Sequence, residues 1–148
     1  MNTEKLIKAL NGKNAKEAYT VLLELEQISE TNDVLYNFFD EFNKMMHSEN
    51  SFVRVRGFRL LCKQAKWDKL NKLNKIIKEI LLQTEDEKPI AVRQKINALK
   101  DICKYKKELN KKIKQSISRI NISRYKENMQ ELIAEDIEKL LSLIDNYD

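Results

Sequence analysis

The sequence predicts a single all-α domain built from short helices that pack in antiparallel pairs. Apolar residues recur three and four positions apart in every segment of the 148-residue chain, which is the period of an amphipathic helix. Leu, Lys, Glu and Ile dominate the composition, whereas only two Gly and one Pro are present to form turns. We therefore expect helix over more than about 70% of the residues, no sheet, and one domain spanning residues 1–148.

Three helices are predicted in the first third of the chain. The first begins at Thr3, a suitable N-cap, and ends at Gly12, and the second is capped by Asn14. The second helix carries apolar residues at helical spacing and is expected to end at the polar stretch 29–33; these residues are Ala18, Val21, Leu22, Leu25 and Ile28. A third helix is predicted over residues 34–46, followed by a turn at 47–50.

Two further helices are predicted between residues 51 and 88. Helix four, over about residues 51–65, places four small or apolar residues on one side, namely Val53, Gly57, Leu60 and Leu61. Asp68 is a suitable cap for helix five, whose predicted buried residues are Leu70, Leu73, Ile76, Ile77, Ile80 and Leu81. A charged loop follows at residues 84–88.

The last part of the chain predicts two or three more helices, for a total of about seven or eight. Pro89 stands where proline is favoured, at the first position of helix six. Helices six and seven bury one apolar series each, Val92, Ile96, Leu99 and Cys103 in the former and Leu109, Ile113, Ile117 and Ile120 in the latter. Ser123 is a suitable cap for the final helix, expected over residues 123–146.

An internal repeat at an offset of 39 residues favours a stack of helical hairpins over a closed up-down bundle. The offset pairs Val53 with Val92 and Arg54 with Arg93, and it also superposes the Leu-Asn-Lys sequence at 70–72 on the same sequence at 109–111. A period near 39 with two helices per unit is typical of right-handed α-α superhelices. The expected repeats are 14–50, 51–88 and 89–122, with residues 123–146 as a capping helix.

The segments Asn-Ser-Phe-Val-Arg at 50–54 and Glu-Lys-Pro-Ile-Ala-Val-Arg at 87–93 resemble the start of the second helix of a HEAT repeat. Through them the chain resembles the HEAT/armadillo family, and it is similar to small uncharacterised bacterial proteins sometimes labelled SufBD-like. The resemblance implies a short superhelix that binds proteins, and it implies no catalytic residue. It also implies a structural role for Arg54 and Arg93, since the arginine at this position ties down the preceding turn; contact with a ligand is the alternative.

Charge is distributed unevenly along the chain, whose net charge is +5. Residues 1–50 carry a net charge of −4, residues 51–126 carry +15, and residues 127–148 carry −6. The candidate binding residues form a basic stripe on the polar side of helix four and its continuation, comprising Arg56, Arg59, Lys63, Lys66, Lys100, Lys104, Lys107 and Lys111. Such a stripe attracts phosphates or an acidic protein, although a solvated face in a lysine-rich chain has the same pattern.

No pattern of catalytic, metal-binding or cofactor-binding residues is present in the sequence. His47 is the only histidine and lies in a predicted turn, and two glycines cannot form a phosphate-binding loop. Cys62 and Cys103 each fall within a helical pattern, so we expect buried thiols, a reducing cytoplasmic location and no disulfide. Without a basic leader or a long apolar run, we expect neither secretion nor a membrane partner.

These observations predict a non-enzymatic protein-interaction or adaptor module without metal or cofactor. The expected partner is another protein, and the basic middle of the chain points to an acidic one. The alternative is a nucleic-acid-associated protein that uses the same basic surface. Because 22 of the 28 basic residues are Lys, we expect nucleic-acid binding to be weak and unselective.

Overall fold

The computed structural model describes residues 2–147, and this part of the chain is all helical, with 82% helix and no strand. The expected high helix content is therefore confirmed; the end residues of the predicted domain, Met1 and Asp148, lie outside the described part. The α-helices of the described residues are α1 (Thr3–Leu10), α2 (Ala15–Thr31), α3 (Phe39–Met46), α4 (Ser51–Lys63), α5 (Lys72–Thr84), α6 (Pro89–Tyr105), α7 (Asn110–Ile117) and α8 (Glu127–Tyr147). Short 3-10 helices occupy Val34–Phe38, Gln64–Trp67, Lys107–Leu109 and Ile122–Arg124.

Asparagine and aspartate side chains start several of these helices by accepting hydrogen bonds from free backbone N–H groups. Asn14 accepts from the N–H of Glu17, and Asn50 accepts from the first turn of α4. The predicted cap Asp68 accepts from the N–H groups of Lys72 and Leu73, both at 2.9 Å. The caps Asn14 and Asp68, and Pro89 at the start of α6, are as the sequence predicted, whereas the cap Asn50 lies at the end of the predicted turn 47–50.

Of two predictions about the N-terminal helices, one is wrong in detail and one is confirmed. Asn2 rather than Thr3 caps α1, because the Asn2 side chain accepts from the N–H of Lys5 and Thr3 is already helical. As predicted, α2 ends within the polar stretch 29–33, at Thr31. Ser29 is buried there because Gln64 and Trp67 donate to its hydroxyl and its carbonyl, respectively.

Two later predictions are also corrected. Leu70 is 62% exposed rather than buried, because it lies in the turn that precedes α5. Ser123 does not cap the last helix but lies in a 3-10 helix, and α8 begins at Glu127. The reason is the position of Tyr125. Its ring is buried, and its hydroxyl donates to the carbonyl of Asp86 at 2.5 Å. This contact holds the backbone of Tyr125 in an extended conformation before α8.

The even-numbered helices pack side by side as a row in the order α2, α4, α6 and α8. The odd-numbered helices pack against this row, with α1 on α2, α3 on α4, and α5 and α7 on α6. The two segments matched by the internal repeat, α4 and α6, are therefore direct neighbours. One continuous cluster of buried apolar residues joins all eight helices of the described chain, and it includes the predicted residues Leu60, Val92 and Leu99.

Gly57 determines how closely α4 approaches α3. A Cβ atom at this position would lie 2.5 Å from the Cβ of Met45 and 2.7 Å from the backbone nitrogen of Met46. Only glycine permits this separation. This contact fixes α4 in the centre of the row.

No helix within residues 2–147 is both long enough and apolar enough to cross a lipid bilayer.

Candidate functional site

A groove runs across the row formed by α2, α4 and α6 and consists of two adjoining cavities. One cavity, of about 590 Å³, lies at the N-terminal ends of the three helices. The other, of about 380 Å³, lies further along the same helices. Arg59 and Gln94 line both cavities, so the two form one continuous feature with chemically different halves.

The first half of the groove is apolar and carries unusually exposed large side chains. Phe52 is 66% exposed, Ile90 is 64% exposed, and Tyr19 is half exposed. Each comes from a different helix of the row, and Leu22, Val55 and Ala91 line the space between them. Exposed apolar residues that cluster around a cavity are typical of a binding surface, because folding alone gains nothing from leaving them in water.

The second half of the groove is lined by ion pairs between neighbouring helices. Arg59 on α4 donates from Nη2 to Glu26 on α2 at 2.7 Å and from Nη1 to Gln94 on α6 at 2.9 Å. Lys63 on α4 lies between Glu30 on α2, at 2.5 Å, and Asp101 on α6, at 3.4 Å. These contacts hold the three helices in register at the floor of the groove.

Burial and pairing shift the pKa values of this cluster. The hydrogen bond from Lys63 lowers the pKa of Glu30, whereas burial raises the pKa of Asp101 despite the nearby ammonium group. Burial opposes the charged form of Lys63, but the hydrogen bond to Glu30 and the charge of Asp101 raise its pKa overall. Lys63 is thus held as a cation by two carboxylates.

The predicted binding residues divide into three locations in the structure. Arg59, Lys63 and Lys100 line the polar half of the groove. Lys66 and Lys104 are exposed beyond its polar end, and Lys66 donates to the carbonyl of Glu30 at 2.5 Å. Lys107 and Lys111 lie elsewhere, Lys107 in the 3-10 helix before α7 and Lys111 on α7 itself, and the eighth predicted residue, Arg56, is buried.

Arg56 does not belong to an exposed stripe, contrary to its predicted position on the polar side of helix four. It is only 7% exposed, and its Nη1 donates to the carbonyl of Leu10 at 2.8 Å. The guanidinium therefore satisfies a free carbonyl at the C-terminal end of α1, which covers it. Burial lowers its pKa.

Arg54 makes the contacts expected of a residue that ties down the preceding turn. Its Nη1 donates to the carbonyls of Ser48 and Glu49, at 3.2 and 2.8 Å. The same side chain binds the carboxylate of Asp86 through Nε and Nη2. Arg54 thereby joins the turn before α4 to the loop before α6.

Arg93 has a different set of contacts, although the repeat aligns it with Arg54. It binds Asp136 on α8, with Nε donating to Oδ2 at 2.7 Å. The sequence alone contains no signal that Arg93 and Arg54 have different contacts, because the acidic partner of Arg93 lies 43 residues further along the chain. The two arginines nevertheless both join neighbouring parts of the helix row.

The remaining candidate residues do not form a reactive cluster. Cys62 and Cys103 are buried and form no disulfide, as expected, and burial raises the pKa of Cys62. His47 is exposed, and its Nε2 lies 3.9 Å from Glu79. Within residues 2–147, no three His, Cys, Asp or Glu side chains are arranged to hold a metal ion.

The sequence interpretation missed the apolar half of the groove. Phe52 and Ile90 are each the second residue of a helix, α4 and α6 respectively, and both are exposed. The signal in the sequence that would have indicated this half of the groove is a large apolar residue on the polar side of each of these two helices.

Comparisons with known proteins give no assignment: no family model, no curated protein and no solved structure matches this chain.

Proposed function

We propose that this chain is a non-enzymatic protein-interaction module that binds a short apolar and acidic segment of a partner protein in the groove of α2, α4 and α6. The observation that carries the proposal is the cluster of Tyr19, Phe52 and Ile90 around one cavity. Peptide-binding surfaces gain most of their affinity from a few buried apolar anchors of this kind.

The charges around the groove determine the proposed partner chemistry. In the polar half, Arg59 and Lys63 are already neutralised by Glu26, Glu30 and Asp101. At the two ends of the groove, exposed lysines that have neither an ion pair nor a hydrogen bond from the ammonium group within residues 2–147 include Lys88, Lys100 and Lys104. Carboxylates that flank an apolar segment would meet these ammonium groups, whereas a phosphate backbone lying along the groove would also meet the three acidic side chains.

The proposed architecture is a short right-handed α-α superhelix of the HEAT/armadillo kind, with repeats near 14–50, 51–88 and 89–122 and a cap at 123–146. The packing of α4 directly on α6 supports this proposal, as does the equivalence of buried Leu60 and Leu99 across the offset of 39 residues. In such folds one row of helices carries the binding surface. We further propose a cytoplasmic location, which is supported by the burial of Cys62 and Cys103 without a disulfide between them.

A peptide-display selection against the folded protein tests the groove directly. We expect the enriched peptides to combine two or three large apolar residues with Asp or Glu. The paired substitution Phe52→Ala with Ile90→Ala should weaken their binding by about tenfold or more, because both apolar anchors are truncated.

The chain offers a matched control for the groove variant. Leu70 and Leu82 are also large and exposed, at 62% and 78%, but they lie in the turn before α5 and on α5. Replacing both by Ala should leave peptide binding within about twofold of the wild type. Equal losses in the two variants, or enrichment of basic peptides, would show that the groove is not the site.

A further inference from the structure

A concentrated positive charge lies between residues 104 and 126, mostly away from the groove. This segment contains nine Lys or Arg and one Glu, a net charge of +8. Lys106 is buried and directed inward, with Nζ 2.5 Å from Asn71 Oδ1, and Lys114 forms an exposed pair with Asp145 at 3.5 Å. Seven exposed basic residues of this segment have no ion pair in the described part of the chain, and the four of them that lie on α7 or next to it are named here the α7 basic patch: Lys107, Lys111, Lys112 and Arg119.

We infer that the α7 basic patch binds the phosphate backbone of nucleic acid without reading its sequence, as a second surface separate from the groove. The patch is held on a rigid support, because α7 buries Ile113 and Ile117 and so directs Lys111 and Lys112 to the opposite, solvent side. Lysine ammonium groups on flexible stems bind phosphates as point charges, and they release counterions when they do so. No exposed aromatic side chain lies between residues 104 and 126, so stacking on bases is not available.

The surroundings of the patch favour nucleic acid over the two other anionic partners. The large exposed apolar side chains of residues 2–147 all lie outside the segment 104–126. A membrane-surface helix inserts an apolar face between lipid headgroups, and a protein interface has an apolar centre. Here the apolar side of α7 is already buried in the core, so the patch attracts a partner through its charge.

Fluorescence anisotropy with a labelled DNA duplex of roughly 20 base pairs tests the inference. Contact with about four phosphates predicts that log K falls with log salt at a slope of about −3.6, or roughly 150-fold between 50 and 200 mM salt. The triple substitution Lys107→Gln, Lys111→Gln and Lys112→Gln should weaken binding at 50 mM salt by more than about 30-fold and reduce the slope to about −1. Two duplexes of different sequence should bind within about threefold of each other.

The matched control removes the same charge from α1 and the turn that follows it. Lys5, Lys8 and Lys13 are exposed at the N-terminal end, and their replacement by Gln should change DNA affinity by less than about threefold. Circular dichroism establishes that both variants are folded. Equal losses in the two variants, or no binding of wild type at 50 mM salt, would overturn the inference. Stronger binding to phosphatidylserine vesicles, or competition by polyglutamate equal to that of DNA at the same charge, would overturn it in favour of a membrane or a protein.

The groove and the patch are tested independently. The Phe52→Ala and Ile90→Ala variant should retain full DNA binding, and the triple lysine variant should retain binding of the selected peptides. Loss of both activities in either variant would contradict the assignment of two separate surfaces.

Discussion

Asp86 is the residue at which three parts of the chain are joined, so its replacement tests the network that supports the helix row. It is nearly completely buried and accepts hydrogen bonds from Arg54, from the N–H of Lys88 and from the Nζ of Lys95 at 3.0 Å. Lys95 is 0% exposed, and its only other hydrogen-bond acceptor in the described chain is the carbonyl of Gln83. Asp86→Asn would therefore leave a buried ammonium group without a counter-charge.

The magnitude follows from that orphaned charge. Removing one partner of a buried ion pair costs about 3–5 kcal/mol. The cost at Asp86 should fall at the lower end, about 3 kcal/mol, because Arg54 keeps its bonds to the carbonyls of Ser48 and Glu49 and Asn keeps an acceptor oxygen. Adding Lys95→Met to Asp86→Asn removes the stranded charge and should restore at least about 1 kcal/mol.

The pH dependence gives a second readout of the same network. Burial opposes ionisation of Asp86, but its hydrogen bonds to Lys88 and Lys95 lower its pKa overall. A carboxylate with a lowered pKa stabilises the fold above its unfolded pKa, so wild type should lose this contribution as the pH falls below about 4. Burial lowers the pKa of Lys95, so the Asp86→Asn variant should gain stability as the pH rises and Lys95 loses its proton.

Urea unfolding followed by circular dichroism measures all of these quantities in wild type, the two single variants and the double variant. A loss below about 1 kcal/mol for Asp86→Asn would refute the reasoning, as would a double variant no more stable than Asp86→Asn.

Two further predictions concern α4. Gly57→Ala should lower the free energy of unfolding, measured in urea, by about 2 kcal/mol or more, because the new Cβ would lie under 3 Å from the backbone of α3. The control is Gly12→Ala, whose Cβ would lie 3.2 Å from the carbonyl oxygen of Ala9. This substitution should lower the free energy of unfolding by less than about 1 kcal/mol. Arg56→Ala should destabilise the fold by about 2 kcal/mol in thermal and urea unfolding, since it orphans the carbonyl of Leu10, whereas Arg59→Ala should cost about 1 kcal/mol because its pair with Glu26 is partly exposed. Equal effects at the two arginines would contradict their different burial.

Local signals in the sequence were sufficient for the helices and most of the core. The spacing of Val92, Ile96 and Leu99 predicted a buried face because a helix of period 3.6 leaves few other arrangements. Details that depend on distant residues were not predictable. Ser29 lies in a polar stretch, yet it is buried and accepts hydrogen bonds from Gln64 and Trp67, more than 30 residues away. The start of α8 likewise depends on Tyr125 reaching the carbonyl of Asp86.

The candidate site was predicted less well, because counting charges along the sequence does not show which basic residues are paired or buried in the fold. The sequence placed the basic surface on helix four because Arg56, Arg59, Lys63 and Lys66 lie close together there. Folding brings α2 alongside, and its Glu26 and Glu30 neutralise Arg59 and Lys63, while α1 buries Arg56. The acidic first block of the chain thus compensates the first part of the basic block.

The same pairing explains why two separate surfaces remain. The carboxylates of α2 neutralise the basic side chains in the polar half of the groove, and the exposed feature of the adjoining half is the apolar cluster around Phe52 and Ile90. No helix from the acidic N-terminal block packs on α7, which contacts α5, α6 and α8. Of the acidic residues on α8, only Asp145 forms an ion pair with an α7 lysine among residues 2–147, and that pair is exposed. The positive charge on α7 therefore remains available to an external anion, and a net charge of +5 for the whole chain conceals a local excess that is larger.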